Sequence, residues 1–338
     1  MRRCVLLAKH AAIIQIGAMA GLVLALGVCP AGAQQRAADF NAPGPIDLRT
    51  GAPVSDGVRL HAELFSLTSL AGQKLPTIIM AHGWGGTAAG FRRDAIDLAT
   101  AGYLVITFDY RGWGESDARL VLTAPSPITP ESGRNQTFTA EVREVREYVD
   151  PIEQTADWFN VIDRAAGELM VDTDRIGIRG SSYSGGHVFY VAAHKPRIKA
   201  VVSQVGGFDS SWVVATESEA RATHAEATGR ARGEAYPEPR AVTRGSLVGG
   251  PIREKFARYA PVSFADRVTH PAVLFIVAAN EDLLDNETNA RLAYERMPGK
   301  TKRYVEIPGI GHYDVYRDHR DRVVSLAIEW FDEHLKGK

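Results

Sequence analysis

The stretch Arg175-Ile176-Gly177-Ile178-Arg179-Gly180-Ser181-Ser182-Tyr183-Ser184-Gly185-Gly186 constrains this chain more than any other. A short apolar strand runs into a serine set among small residues, and a helix-like segment follows. A sharp strand-to-helix turn of this kind lifts one side chain above the edge of a sheet, where a substrate can reach it. The turn is cramped, so its neighbours must be small. The pattern is a nucleophile elbow with Ser182 at its apex. It departs from the usual Gly-x-Ser-x-Gly at one place: Ser184 stands where the second glycine is expected, and Gly185 follows at once. Serine is small enough for the turn to form. Ser184 is a competing apex with a poorer strand register, and an ordinary turn serine is the bland alternative for Ser182.

The rest of the chain supplies the surroundings such a turn needs. Residues 34–50 are polar with Pro and Gly and read as a loosely held arm. Val58, Leu60, Ala62 and Leu64 alternate with Arg59, His61 and Glu63, the period of a half-exposed strand over 57–67. Apolar runs at 77–81 and 103–108 read as buried strands, 175–179 reads as the strand before the elbow, and 200–205 and 272–278 read as further strands. A further strand is expected at 302–307. Helical patterns cover 91–101, 152–169 and 318–335. Strands alternating with helices imply a mostly parallel sheet covered on both sides. Two segments break the rhythm. Residues 112–150 are irregular, with Pro125, Pro127 and Pro130, and residues 208–262 form a longer, cap-like insertion between two core strands. Insertions at the carboxyl edge of such a sheet commonly form a substrate wall.

The first 33 residues read as a signal peptide. Arg2, Arg3 and Lys9 are followed by an apolar run over Ala11 to Val28 and the small-residue site Ala31-Gly32-Ala33, so the mature chain is expected to start at Gln34. A membrane anchor is the rival reading, but the run is short for a span and ends at Pro30. The expected location is periplasmic or extracellular, with no stable membrane span after cleavage. Cys4 and Cys29 are the only cysteines, and both lie within this segment. The domain over 34–338 therefore has no disulfide, thiol nucleophile or thiolate metal site, and its core must suffice. Removing 1–33 takes three of 39 basic residues and none of 40 acidic ones, leaving 36 against 40. No basic surplus points to nucleic acid. No His/Asp/Glu group shows metal-ligand spacing, and no glycine-rich dinucleotide turn follows a first strand, so no cofactor is expected.

A serine hydroxyl is a poor nucleophile at neutral pH and needs a base that is itself oriented by a carboxylate. After the buried strand Val273-Leu274-Phe275-Ile276-Val277 comes Ala278-Ala279-Asn280-Glu281-Asp282, where Asp282 is the expected acid, in competition with Glu281 and Asp285. After the last strand, Gly309-Ile310-Gly311-His312 presents His312 as the base. A tetrahedral oxyanion needs backbone N–H donors. Tyr183 follows the nucleophile at a helix start, and Trp84 lies in the glycine-rich loop His82-Gly83-Trp84-Gly85-Gly86; these are the two expected donors. Asp109, Arg111 and Glu115 cluster after the second buried strand and are read as braces for that turn. His187, beyond the elbow, reads as a packed helix residue.

These motifs, together with Asp109-Tyr110-Arg111-Gly112-Trp113-Gly114-Glu115-Ser116, cover almost the whole chain after residue 33 in one order. The chain resembles an α/β-hydrolase of the dienelactone-hydrolase and acyl-peptidase-like group. That resemblance implies the α/β-hydrolase fold: a mostly parallel eight-stranded sheet, helices on both faces and a small cap insertion. It also implies acyl-transfer chemistry in the chain order Ser, acid, His, without naming a substrate. Dienelactone hydrolases use a cysteine at the position of Ser182.

The leading expectation is an exported serine hydrolase that cleaves a small-molecule or polymer carboxylic ester. A serine peptidase of the aminopeptidase or X-Pro-dipeptidyl-peptidase kind would keep the mechanism and change the substrate; Glu217, Glu219 and Glu226 are acids in the insertion that could grip an ammonium end, though their spacing singles out none. A silent hydrolase fold that only binds a ligand would carry a broken constellation, and none is broken here. Oligomeric state is left open.

Overall fold

The computed structural model describes residues 46–132, 136–234, 236–242 and 247–337. The expected signal peptide and its cleavage site lie outside these residues. Eight strands form one sheet: β1 (Ile46–Gly51), β2 (Ala62–Leu67), β3 (Leu75–Ala81), β4 (Leu104–Phe108), β5 (Val171–Ser181), β6 (Ile198–Gln204), β7 (Ala272–Ala278) and β8 (Lys302–Ile307). Their order is β1-β2-β4-β3-β5-β6-β7-β8. Strand β2 runs antiparallel to β1 and β4, and every other pairing is parallel. The chain therefore steps one way from β3 to β4 and the other way to β5. In a parallel sheet the crevice at such a switch lies at the carboxyl ends of the strands and is where ligands bind.

The longer helices are α1 (Arg92–Thr100), α2 (Pro151–Ala165), α3 (Tyr183–Ala192), α4 (Glu217–Ala231) and α5 (Arg320–Phe331). Alternation along the central strands splits the core in two. Ile79, Ile106, Ile178 and Val273 pack with Trp158 and Ile162 of α2 and Val188 and Phe189 of α3. Their neighbours Ile78, Val105 and Leu274 pack with Ile96 and Leu98 of α1 and Val323 and Phe331 of α5. Each such side chain contributes roughly 1.5–3 kcal/mol by leaving water. This is the α/β-hydrolase fold. Helix α2 starts where the backbone asks for it: Asp150 accepts from the N–H groups of Ile152 and Glu153, and Pro151 has no N–H to satisfy.

The structure corrects two expectations at the amino-terminal edge. The arm expected over 34–50 includes, from Ile46, a true edge strand, because Ile46 and Leu48 pack against the α1–α5 core. The strand expected to be half-exposed over 57–67 begins at Ala62 and is buried along nearly its whole length. It lies between two strands beneath α1, and its one acid, Glu63, is neutralised by Arg92 with Nε–Oε distances of 2.9 Å. The helix expected to reach residue 169 stops at Ala165. The irregular segment 112–150 carries a two-stranded ribbon, Arg119–Leu122 with Val142–Val145. Among the described residues no helix is long and apolar enough to cross a membrane.

Candidate active site

Ser182 sits between the end of β5 and the start of α3 with φ 55° and ψ −126°, a conformation that L-residues avoid. Strain of this kind, on the order of 1–3 kcal/mol, persists only when the surroundings over-determine it. They do here. A Cβ at Gly180 would lie 2.1 Å from the carbonyl oxygen of Ser184, so the strand can meet the helix only through glycine. The Ser182 N–H donates to the carbonyl of Gln204 at 2.8 Å, and the Ser182 carbonyl accepts from Gly185 and Gly207. Ser184, the competing apex, is completely buried, and its hydroxyl lies 2.8 Å from the Tyr110 hydroxyl. It faces the core, not the crevice. A side chain is tolerated at the position of the second glycine because it points to a polar partner.

His312 follows β8 and is buried. Its Nε2 lies 2.9 Å from Ser182 Oγ. Its Nδ1 lies 2.8 and 2.9 Å from the two carboxylate oxygens of Glu281. Ser182 and His312, expected together, are together. The expected acid is corrected: Asp282 does not reach the imidazole. Asp282 Oδ1 accepts from the backbone N–H of His312 at 3.3 Å, so it holds the loop rather than the ring. Asp285 is turned to the next helical turn, where it accepts from Glu287 N–H and Thr288 Oγ1. Glu281 is itself held by the N–H of Leu283 at 3.0 Å. The longer Glu side chain, one position nearer the strand, spans the gap to His312. Which of three carboxylates within five residues meets the imidazole depends on how the turn aims them, and composition carries no sign of that.

Trp84 and Tyr183, the expected oxyanion donors, both border the space above Ser182. Tyr183 is the first residue of α3, and a first-turn N–H has no acceptor within its own helix. Trp84 follows Gly83, where a Cβ would lie 2.7 Å from Ser182 Cβ, so the loop after β3 can approach the serine only through glycine. The Trp84 indole is pinned at its far side, with Nε1 donating to the Gly249 carbonyl at 2.9 Å. It lies beside Tyr183 and Phe256, with ring centroids 5.7 and 5.1 Å away.

The clusters read as braces behave as braces. Asp109 accepts from the N–H groups of Ala88 and Glu115, at 2.6 and 3.1 Å. Arg111 is paired with buried Asp157. His187 is fully buried in α3, with Nδ1 2.6 Å from Tyr259 Oη and Nε2 3.1 Å from Gln154 Oε1. Burial, with His82 nearby, holds its imidazole down to about 3, so it is neutral. The acids Glu217, Glu219 and Glu226 of α4 are not among the residues lining the space above Ser182.

That space is lined by Trp84, Tyr183, Trp212, Leu247, Leu283 and Leu284, with Gly207 and Asp209 and the reacting side chains of Ser182 and His312. Its enclosed volume is about 40 Å³. At roughly 10–15 Å³ for each water position, this is room for a few waters above the serine. Asp209 carried no signal in the sequence that tied it to the serine. It comes from the start of the 208–262 insertion, as does Trp212, and Leu247 comes from later in the same insertion. Among the described residues, no group of three His, Cys, Asp or Glu side chains is arranged to hold a metal ion.

Comparison with known proteins agrees with the fold. Residues 56–230 match the X-Pro dipeptidyl-peptidase (S15) family, and residues 152–338 match the prolyl oligopeptidase family. An uncharacterized 31.7 kDa protein from the traX-finO intergenic region of Escherichia coli is 30% identical over 292 residues, covering 78% of this chain and 92% of that one. The quorum-quenching protein AidA of Acinetobacter baumannii is 26% identical over 320 residues, covering 85% and 94%. Among solved structures, hypothetical protein PA2218 of Pseudomonas aeruginosa superposes with a TM-score of 0.65 at 20% identity, covering 86% of this chain and 94% of that one.

Proposed function

The chain belongs to the α/β-hydrolase superfamily of serine hydrolases, and from that premise we propose that it cleaves carboxylic esters through an acyl-enzyme formed on Ser182. The observation that carries the reading is the unbroken run from Glu281 through both nitrogens of His312 to Ser182 Oγ, each link at 2.8–2.9 Å. In the reaction, His312 Nε2 takes the hydroxyl proton as Oγ attacks the ester carbonyl. Glu281 accepts from Nδ1–H, fixes the tautomer and balances the imidazolium that forms. The N–H groups of Tyr183 and Trp84 receive the oxyanion, worth about 3–4 kcal/mol for each donor by analogy with other oxyanion sites. His312 then returns its proton to the leaving alcohol. A water molecule attacks the acyl-enzyme through the same base and releases the acid.

The test is hydrolysis of p-nitrophenyl esters of increasing acyl length, with native protein and Ser182→Ala side by side. Hydrolysis that vanishes in the variant supports the reading, and ester turnover that survives it removes Ser182 from the reaction. The two matched families are named for peptidases, which favours a second reading in which the acyl group comes from a peptide. Aminoacyl arylamides in the same assay separate the two, since a peptidase also turns over the amide through Ser182 and a simple esterase leaves it uncleaved. A folded protein that does not react with a fluorophosphonate would point to the silent, ligand-binding reading. The apolar segment ahead of Ala31-Gly32-Ala33 supports export. Amino-terminal sequencing of secreted or periplasmic material should then begin at Gln34.

A further inference from the structure

The space above Ser182 has a charge that nothing in the proposed ester chemistry uses. Asp209 lines it, half-buried at the root of the 208–262 insertion. One carboxylate oxygen accepts from the Ser211 N–H at 2.8 Å, an ordinary turn contact. The other has no hydrogen-bond partner, and no Lys or Arg pairs with Asp209, among the described residues. Four other acids of the neighbouring elements carry a cationic partner. Asp150 is paired with Lys255, Glu147 with Arg240, Asp157 with Arg111 and Glu254 with Arg230. Glu281 lies behind His312 and does not line the space, and no Lys or Arg among the described residues lines it. The remaining walls are the indoles of Trp84 and Trp212, nearly parallel at 26° with centroids 6.5 Å apart, the Tyr183 ring and three leucines.

We propose that this space takes a quaternary ammonium group, carried by the substrate a few bonds from the reacting carbonyl. The inference rests on the ester reading and names its substrate class. An unpaired carboxylate attracts a cation most strongly where apolar walls exclude water, and aromatic faces attract one within about 6 Å of the ring centroid. The lining also decides which cation. A primary ammonium brings three N–H donors, and the leucines and indoles offer no acceptor, so two donors would be stranded beside Asp209 Oδ2. A quaternary ammonium has no donor to strand. Its trimethyl head presents only methyl groups to the indole, phenol and leucine walls. An anionic group in that place would face Asp209, with no Lys or Arg of the described residues lining the space to offset it.

The charge can sit on either half of an ester, and the test has an arm for each. For the alcohol half, acetylcholine is compared with the acetate in which carbon replaces the ammonium nitrogen. For the acyl half, the ethyl ester of trimethylammonioacetic acid is compared with its tert-butyl isostere. Each kcat/KM is divided by that ester's own alkaline hydrolysis rate, because the ammonium activates a neighbouring carbonyl. The expected result is a normalised preference of about tenfold or more for the cationic member of at least one pair, and competitive inhibition of neutral-ester hydrolysis by tetramethylammonium. Asp209→Asn, which keeps the contact with Ser211, should reduce that preference about tenfold. Equal rates in both pairs, indifference to tetramethylammonium, or a preference that survives Asp209→Asn would each overturn the proposal. The first two readouts use native protein and do not depend on the variant folding. Hydrolysis of neutral esters without cation preference removes this inference alone; no hydrolysis of any ester removes the ester reading and this inference with it.

Discussion

Two parts of the molecule meet above Ser182, and they are built differently. The elbow side is anchored through the core. Tyr110, Trp158, Ser184 and His187 are buried. Trp158 Nε1 donates to Tyr110 Oη at 2.8 Å, Tyr110 Oη lies 2.8 Å from Ser184 Oγ, and His187 is held separately by Tyr259 and Gln154. The insertion side is thin. In α4 only Thr223 is buried, and the helix is held by its own amino-terminal cap and by ion pairs such as Arg230–Glu254. The contrast assigns separate tasks. Side chains that need a fixed geometry for proton transfer stand on a part that cannot yield. Side chains that meet the variable part of a substrate, Asp209, Trp212 and Leu247, stand on a part that can. Predictions that damage one side and spare the other measure how real this division is.

The largest expected effect is on the elbow side. Ser182→Ala should lower ester turnover by about 10⁴-fold or more while leaving the thermal midpoint near that of the native protein. Close behind comes the acid. Glu281→Gln should cost about 10³- to 10⁴-fold in kcat, since the amide favours the wrong tautomer of His312, whereas Asp282→Asn should cost about tenfold or less. Steady-state kinetics on a short-chain ester decide it. A reversed order would show that the loop after β7 rearranges when substrate binds, and that this side of the site is less fixed than its contacts imply.

That pair of variants also marks where the sequence stops being legible. The central strands, the elbow and the positions of Ser182 and His312 can be read because each is set by local pattern: a run of apolar residues, a serine among small neighbours, a histidine among glycines after the last strand. Glu281 cannot be separated from Asp282 by such means, because the choice lies in the direction of one turn. The edge strand from Ile46 was hidden for a related reason. Its alternation covers only Ile46 and Leu48, and what buries them lies in α1 and α5, far along the chain. Tyr110 and Ser184 are 74 positions apart, and nothing in either neighbourhood announces the other. Asp209 looked like any acid in a polar insertion until the fold brought it over the serine.

The middle-sized effects test the support beneath the elbow. Tyr110→Phe removes one hydroxyl that serves two buried partners, Ser184 Oγ and Trp158 Nε1. Leaving both unsatisfied should cost about 2–4 kcal/mol, read from the urea midpoint at unchanged m-value. His187 supplies a pH dependence with a definite sign. Its folded value is about 3 against an ordinary 6.5, so above that ordinary value the neutral ring costs nothing. As pH falls below it, the unfolded chain binds a proton that the folded chain refuses, and stability is lost. The loss should reach about 2 kcal/mol by about pH 5. In His187→Gln the stability curve between about pH 7 and pH 5 should be shallower by that amount. An unchanged slope would mean that His187 is not kept neutral by its surroundings, and that the elbow's support is wetter than its burial implies.

The smallest effect belongs to the insertion, and it sharpens the comparison most. Thr216 caps α4: its hydroxyl accepts from the Glu219 N–H at 3.2 Å, and the Glu219 carboxylate accepts from the Thr216 N–H at 2.8 Å. Thr216→Ala removes half of this reciprocal pair and should cost about 1 kcal/mol of helix stability. Where that cost appears is the informative point. If α4 opens independently of the core, the global midpoint hardly moves, while amide exchange over Glu217–Ala231 quickens about fivefold. Exchange at Val188 and Phe189 beneath the elbow should stay as slow as before. If both regions quicken together, the insertion and the elbow unfold as one unit. The wall that meets the substrate would then be as fixed as the serine it covers, and selectivity at Asp209 would come from a rigid fit rather than from a part free to adjust.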